Sequence, residues 1–213
     1  MMRLHYYPGF ISLAVHILIE EIGLEYELSF VNLHKGPSKN PSYLALHPDG
    51  LVPVLENDGL VLYESTAIIL HLLELKEGAT FIPEPGSALR PQFYKWLMWL
   101  SATLHADLSL YLHPNKTAAS VEAQSEVRDA AERRVNAHFD RVEEELARHR
   151  GPWFLGDTYS AVDAYLFTLA RWSRGMPRSA ASRPQLGAYL QRMIGRPAMQ
   201  RAHAQEHLPQ PWI

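Results

Sequence analysis

Apolar and polar positions along this chain repeat with two different periods, and the change falls between residues 76 and 88. Ahead of it the pattern mixes strands and helices. Residues 3–7 form a short aromatic run closed by Pro8-Gly9, a turn signal. From Ser12 to Ile22 the apolar residues follow helical spacing, and Gly23 suits the C-cap. Tyr26, Leu28 and Phe30 alternate with Glu27, Ser29 and Val31, predicting a strand with one face more buried. Residues 52–56 and 60–63 read as two more strands, with Asn57-Asp58-Gly59 as a hairpin signal between them. Residues 64–75 then read as a helix. A strand–helix–strand start favours parallel pairing across the helix. Adding the hairpin and last helix predicts a small four-stranded mixed sheet.

Gly78, Pro83, Pro85, Gly86 and Ser87 have the chemistry of a linker. Beyond them the period is helical throughout. Phe93, Leu97, Leu100, Leu104 and Leu108 make one apolar stripe, which Pro114 ends. Val127, Ala131, Val135, Phe139, Val142 and Leu146 make a second, stopped at Gly151-Pro152. Ser160 and Asp163 form a Ser-x-x-Asp helix start before the apolar run 165–172. Two shorter helices follow, near 183–194 and 197–204. The domains are therefore expected at 1–77 and 89–213, joined by a linker at 78–88.

Charge changes this picture only at the boundary. Residues 1–88 carry 4 Lys/Arg against 11 Asp/Glu, whereas residues 151–213 carry 7 against 3. No segment has the dense basic stripe of a nucleic-acid binder. The apolar run 10–19 is followed by Glu20-Glu21 without a small-residue cleavage site, so it reads as a buried helix, not a signal peptide. No stretch reaches membrane-spanning length, and a cytoplasmic protein without membrane or nucleic-acid partners is expected. The chain has no cysteine. That excludes disulfides, thiolate metal sites and a protein-borne thiol nucleophile. Any thiol chemistry must arrive on a ligand.

The element order resembles that of the glutathione S-transferase superfamily, and local strings carry the likeness over nearly the whole chain. Tyr6-Tyr7-Pro8-Gly9 with Ser12 resembles the first strand and turn of bacterial beta-type members. The segment from Asn40-Pro41 through His47-Pro48, Gly50 and Val52-Pro53-Val54-Leu55 looks like the family's Val-Pro segment, with His47 in place of the usual Asn. Leu62-Tyr63-Glu64-Ser65-Thr66-Ala67-Ile68 is similar to its Glu-Ser segment. Residues 153–157, Ser160/Asp163 and Arg196-Pro197 match landmarks of its second domain. The resemblance implies a thioredoxin-like α/β N-terminal domain that holds glutathione, followed by an all-α C-terminal domain with a hydrophobic substrate pocket. It also implies a homodimer, with the hairpin and helix 89–112 available for the contact, and a role in detoxification.

The residues themselves suggest how this chemistry would run. The first N–H groups of a helix are unpaired and face the positive end of its dipole, so the Glu64-Ser65 helix tip suits a carboxylate. By resemblance, Ser65 binds the γ-glutamyl carboxylate and Glu64 faces the ammonium; the alternative is that both only cap the helix. Pro53 marks a strand edge. In the family it is a cis proline, which leaves Val52 to bond the cysteinyl backbone like an added strand; the alternative is an ordinary edge proline. Lys35, with His34, lies where the family places a cation for the glycyl carboxylate, or else in a solvated loop.

Lowering a thiol pKa from ~8.5 by about two units takes roughly 2.7 kcal/mol of thiolate stabilisation. Ser12 is the first candidate donor and Tyr6 the second; their bland alternatives are an N-cap serine and a core tyrosine. Beta-type relatives often carry a cysteine where Ile11 stands here, which removes mixed-disulfide chemistry. His105 resembles a beta-type histidine that faces the sulfur, with Ala106 replacing the neighbouring lysine. Phe10, Tyr111 and Trp172 are candidates for the electrophile pocket, although aromatics at helical spacing, as Tyr111 and Trp172 are, more often belong to the core. The expected activity is conjugation of the glutathione thiolate to small hydrophobic electrophiles, with glutathione as co-substrate and no metal. Two rivals stand beside it: a non-catalytic ligand-binding protein on the same fold, or a specialised glutathione-dependent lyase, isomerase or dehalogenase.

Overall fold

The computed structural model describes residues 1–34, 36–75, 81–149 and 151–213. Lys35 and part of the expected linker, 78–80, lie outside the described residues. The chain divides into two compact units, Met1–Thr80 with Ile194–Trp212, and Phe81–Met193 with Ile213. The tail that the sequence grouped with the helical domain thus belongs to the N-terminal unit.

In the N-terminal unit, β1 (Met2–Tyr6), α1 (Ser12–Ile22) and β2 (Tyr26–Phe30) form the strand–helix–strand start, with β1 and β2 parallel. A single-turn α2 (Pro41–Leu44) follows, which periodicity does not reveal because four residues hold too little pattern. Asn40 starts it, its Oδ1 accepting the N–H of Ser42 at 3.0 Å. The antiparallel hairpin β3 (Val54–Asn57) and β4 (Leu60–Tyr63) leads into α3 (Ser65–Leu72). Strand order is β2-β1-β3-β4, a four-stranded mixed sheet. Register pairs His5 with Val54 and Leu4 with Leu55. Alternation of side chains across a strand then assigns the two pairs to opposite faces. Val54 joins Val31, Leu33, Val52 and Tyr43 of α2 in one cluster. Leu4 and Leu55, fully enclosed, serve the other face. The edge strand β2 departs from the expected alternation, since Phe30 is 58 % exposed. The last helix of the chain, Pro197–Gln205, packs on α1.

The helical unit follows the apolar stripes. Residues 89–112 form α4 (Leu89–Trp99), a π-helical turn at Leu100–Leu104 and α5 (His105–Leu112). Phe93, Leu97, Leu100, Leu104 and Leu108 are all fully enclosed. The π turn is the departure from the single helix that the spacing predicts, and its wider turn is a feature frequent at functional sites. The helix α6 (Val121–His149) packs along α5, where Asp107 accepts from Arg134 Nε and pairs with His138 Nε2, both at 2.8 Å. Then come α7 (Ala161–Trp172) and α8 (Pro184–Ile194), which makes Pro197–Gln205 the helix α9. The start of α7 is the expected capping box: Ser160 N–H donates to Asp163 Oδ2 at 2.8 Å.

Candidate functional site

The site of the N-terminal unit is built where regular pairing stops. His5 of β1 faces Val54 of β3, and Val54 faces Tyr63 of β4. Tyr6, Pro53 and Glu64 each lie one residue past this row. Because β3 runs antiparallel to both neighbours, all three emerge at the same end of the sheet. Two strand spacings separate β1 from β4, about 10 Å, which is about the length of three extended residues.

Three local devices shape this end. The first is the turn from β1 to α1. Phe10 N–H donates to Tyr7 C=O at 3.1 Å, with Pro8 and Gly9 (φ +70°) in the two central positions. Proline followed by a residue with positive φ is the requirement of a type II turn. Ser12 then opens α1, but not as its N-cap, a position held by Ile11. Ser12 is fully buried; its hydroxyl donates to Tyr7 C=O at 3.2 Å and accepts Tyr7 N–H at 3.4 Å. In this arrangement its proton is committed to bracing the turn. Tyr6 is half-buried between His16 and Phe30. Burial first, and then the charge of Glu206, push its phenol above the ordinary pKa of a tyrosine. It is therefore a hydrogen-bond donor at neutral pH. Phe10, 37 % exposed, packs edge-on against Tyr7 at 4.6 Å.

The second device is the approach to β3. The Val52–Pro53 peptide bond is cis. Val52 precedes the β3 ladder by two residues, so its backbone stands beyond the last β1–β3 pair.

The third is the tip of α3. Glu64 is exposed, with φ +73° and ψ 109°, a conformation rare for any residue with a side chain. Ser65 is buried as the first residue of α3. The leading N–H groups of that helix have no intrahelical acceptors by position.

The remaining predicted residues belong to other segments. His34 is in the loop after β2, where its backbone N–H donates to Asn32 Oδ1 at 3.0 Å; Lys35 is outside the described residues. In the helical unit, His105 opens α5 with its ring 5.1 Å from that of Trp172 at the end of α7. Burial holds its imidazole down to about pKa 4. It is neutral at physiological pH and offers a hydrogen bond, not a cation. Tyr111 lies under the guanidinium of Arg128 at 5.6 Å. Among the described residues no cluster of three or more His, Asp or Glu suited to a metal occurs, and no helix is long and apolar enough to cross a membrane.

Sequence reasoning passed over Glu206. This carboxylate is almost fully enclosed, accepts Gly9 N–H at 2.8 Å and pairs with His16 Nδ1 at 2.9 Å. His16 in turn meets Tyr26 and Gln205 through Nε2. The one visible signal was His16, a polar break in an apolar run. Its partner is 190 residues away along the chain, a contact that periodicity cannot report.

With this geometry in hand, likeness to known proteins becomes interpretable. Residues 2–74 match the family described as glutathione S-transferase, N-terminal domain, and residues 99–197 match the glutathione S-transferase, C-terminal domain. The glutathione S-transferase GstA of Escherichia coli O157:H7 is 30 % identical, over 97 % of this chain and 100 % of that one. A glutathione transferase homologue from Sulfitobacter, solved with bound glutathione, superposes with a TM-score of 0.88 at 28 % identity, covering 98 % of this chain and 99 % of that one. The bacterial beta class glutathione S-transferase of Sphingomonas chungbukensis superposes with a TM-score of 0.84 at 29 % identity, covering 97 % and 100 %. The chain belongs to the glutathione S-transferase family.

Proposed function

We propose that this protein binds glutathione at the open end of its sheet and conjugates the thiolate to small hydrophobic electrophiles. The observation that carries this reading is the convergence of Tyr6, the Val52–Pro53 segment and the Glu64–Ser65 helix tip at one end of three adjacent strands. In it, the helix tip and Ser65 receive the γ-glutamyl carboxylate, Glu64 faces the ammonium, and Val52 bonds the cysteinyl backbone. The sulfur then lies toward the β1–α1 turn. There the phenol of Tyr6 and the leading N–H groups of α1 stabilise the thiolate, while Ser12 contributes by holding the turn. Within the helical unit, His105 and Trp172 put a neutral hydrogen-bonding ring beside an apolar one, the residue types that a hydrophobic electrophile calls for. Holding both reactants in place and favouring the thiolate account for the rate.

A second reading is favoured by one observation. With Ile11 in place of cysteine and the Ser12 hydroxyl committed to Tyr7, the protein carries fewer direct sulfur ligands than its turn suggests. A non-catalytic glutathione-binding protein would need none. Retention on immobilised glutathione, followed by a conjugation assay with an aromatic electrophile, separates the two. Retention with turnover supports conjugation; retention without it supports the second reading; no retention removes both.

Exposed apolar residues on β4 (Leu60, Val61) and on α4 (Leu89, Tyr94, Met98) support a homodimer. Sedimentation velocity tests that, with a mass near 24 kDa counting against it.

A further inference from the structure

Between α2 and β3 the chain makes a tight turn that opens with a buried histidine, and that histidine touches the segments leading into both halves of the proposed glutathione site. His47 is 5 % exposed. Its Nδ1 accepts the backbone N–H of Asp49 at 3.2 Å, which places the ring proton on Nε2. Its C=O accepts the N–H of Gly50 at 2.9 Å. The turn is stitched outward as well, because Gly50 C=O accepts Ser38 N–H at 2.8 Å. Gly50 has φ +64°, and a Cβ there would stand 2.3 Å from Ser38 O, so only glycine fits. Two residues after Gly50 comes Val52.

The other side of the same imidazole lies on Tyr63. The rings stack at 4.6 Å between centroids with an interplanar angle of 28°. Tyr63 is the last residue of β4 and directly precedes Glu64. The β3–β4 ladder ends at the Val54–Tyr63 pair. Beyond it no strand pairing fixes the distance from Val52 to Glu64, yet a ligand gripped by both requires that distance. One ring meets both: it holds the turn that delivers Val52 and it leans on the residue that delivers Glu64.

We propose that His47 is a positioning residue for glutathione, setting the separation of the two grips through its Asp49 bond and its Tyr63 stack. The inference rests on the glutathione reading above. It assigns His47 an effect on affinity rather than on chemistry, since its contacts are with Asp49, Gly50 and Tyr63, the segments that lead to the two grips.

Calorimetric titration with reduced glutathione tests this on wild type, His47→Ala, His47→Asn and Tyr63→Leu, with kcat read at saturating glutathione. His47→Ala removes both contacts and is expected to weaken binding about tenfold, with kcat within about twofold of wild type. His47→Asn keeps an acceptor for Asp49 N–H and loses the ring, so it recovers part of the affinity, to about threefold weaker; Tyr63→Leu, which keeps the acceptor and loses the stack, matches it. Unchanged affinity in His47→Ala overturns the proposal, as does a loss confined to kcat. Should His47→Ala fail to fold, unchanged affinity in both His47→Asn and Tyr63→Leu overturns it. Wild type that binds no glutathione overturns the glutathione reading and this inference together, whereas wild type that binds alongside an indifferent His47→Ala overturns this inference alone.

Discussion

Helices α7 and α3 begin with the same problem and answer it in opposite ways. Each begins with N–H groups that have no acceptor within the helix. At α7 the protein supplies its own acceptor. Ser160 is extended (φ −139°, ψ 168°), and Asp163, wholly enclosed, accepts from Ser160 N–H, the Ser160 hydroxyl, Phe154 N–H and the Tyr189 hydroxyl at 2.8 to 3.1 Å. At α3 the residue before the helix is Glu64, exposed, with φ +73° and no side-chain cap bond. The first arrangement uses the helix end for stability. The second accepts at Glu64 a backbone conformation that costs on the order of 1 kcal/mol and makes no side-chain cap there. The two helix starts thus differ in whether the N-cap side chain and its partner three residues on close the first turn.

The largest effect that sharpens this contrast is expected at α7. Asp163→Ala leaves two N–H groups and two hydroxyls without this acceptor in a closed interior, and is expected to cost about 3 kcal/mol of unfolding free energy in urea titration. Glutathione affinity, measured well below the shifted midpoint, is expected to stay within about twofold of wild type. A loss of stability below about 1 kcal/mol would show that the cap is not what holds α7.

At α3 the signs should divide. Glu64→Gly frees the positive φ and is expected to stabilise the fold by about 0.5–1 kcal/mol, while glutathione binding weakens about tenfold for want of the carboxylate. Chemical denaturation and calorimetry read the two quantities separately. A variant less stable than wild type breaks the comparison, because Glu64 would then be supporting the fold after all.

The same contrast explains what was legible in the sequence. Stripes such as Phe93 to Leu108, or Ala131, Val135 and Phe139 on α6, announce helices because every third or fourth residue must enter the core. The α7 box was readable because its two members lie three residues apart. The α3 tip and the Val52–Pro53 segment were readable only through family resemblance, since Glu-Ser and Val-Pro are ordinary pairs by themselves. Ser12 was placed correctly at the head of α1, yet its hydroxyl turns inward to Tyr7, an orientation set by the turn rather than by residue type. The π turn at Leu100–Leu104 shifts register without breaking the apolar spacing, so it left no mark. Glu206 and the His47–Tyr63 stack are contacts across folded loops and helices, which no local pattern encodes.

A smaller effect is expected at the β1–α1 turn, the third element that meets at this end of the sheet. Tyr6→Phe removes a phenol whose raised pKa keeps it a donor. If it shares the thiolate with the N–H groups of α1, second-order turnover at neutral pH falls about fivefold, near 1 kcal/mol. Thiolate absorbance against pH should move upward by a similar amount, with glutathione affinity little changed. An unmoved thiol titration would assign the sulfur to the N–H groups of α1 alone.

The smallest effect lies in the helical unit and concerns acid. Burial depresses His105 from 6.5 to about 4. The unfolded chain therefore takes up a proton at this site at a pH where the folded chain does not. Stability is full above the unfolded pKa and declines as pH falls from there toward 4. Between pH 7 and pH 6 the decline from this group is roughly 0.7 kcal/mol. His105→Gln keeps a hydrogen-bonding side chain without the proton uptake, so its urea midpoint should fall less over that interval than the wild-type midpoint does. Turnover of the wild type over the same interval should carry no limb from His105, because the ring in the folded protein stays neutral throughout. A wild-type activity limb near pH 6 that disappears in His105→Gln would mean that the ring is solvated and takes up a proton during turnover, which its burial beside Trp172 argues against.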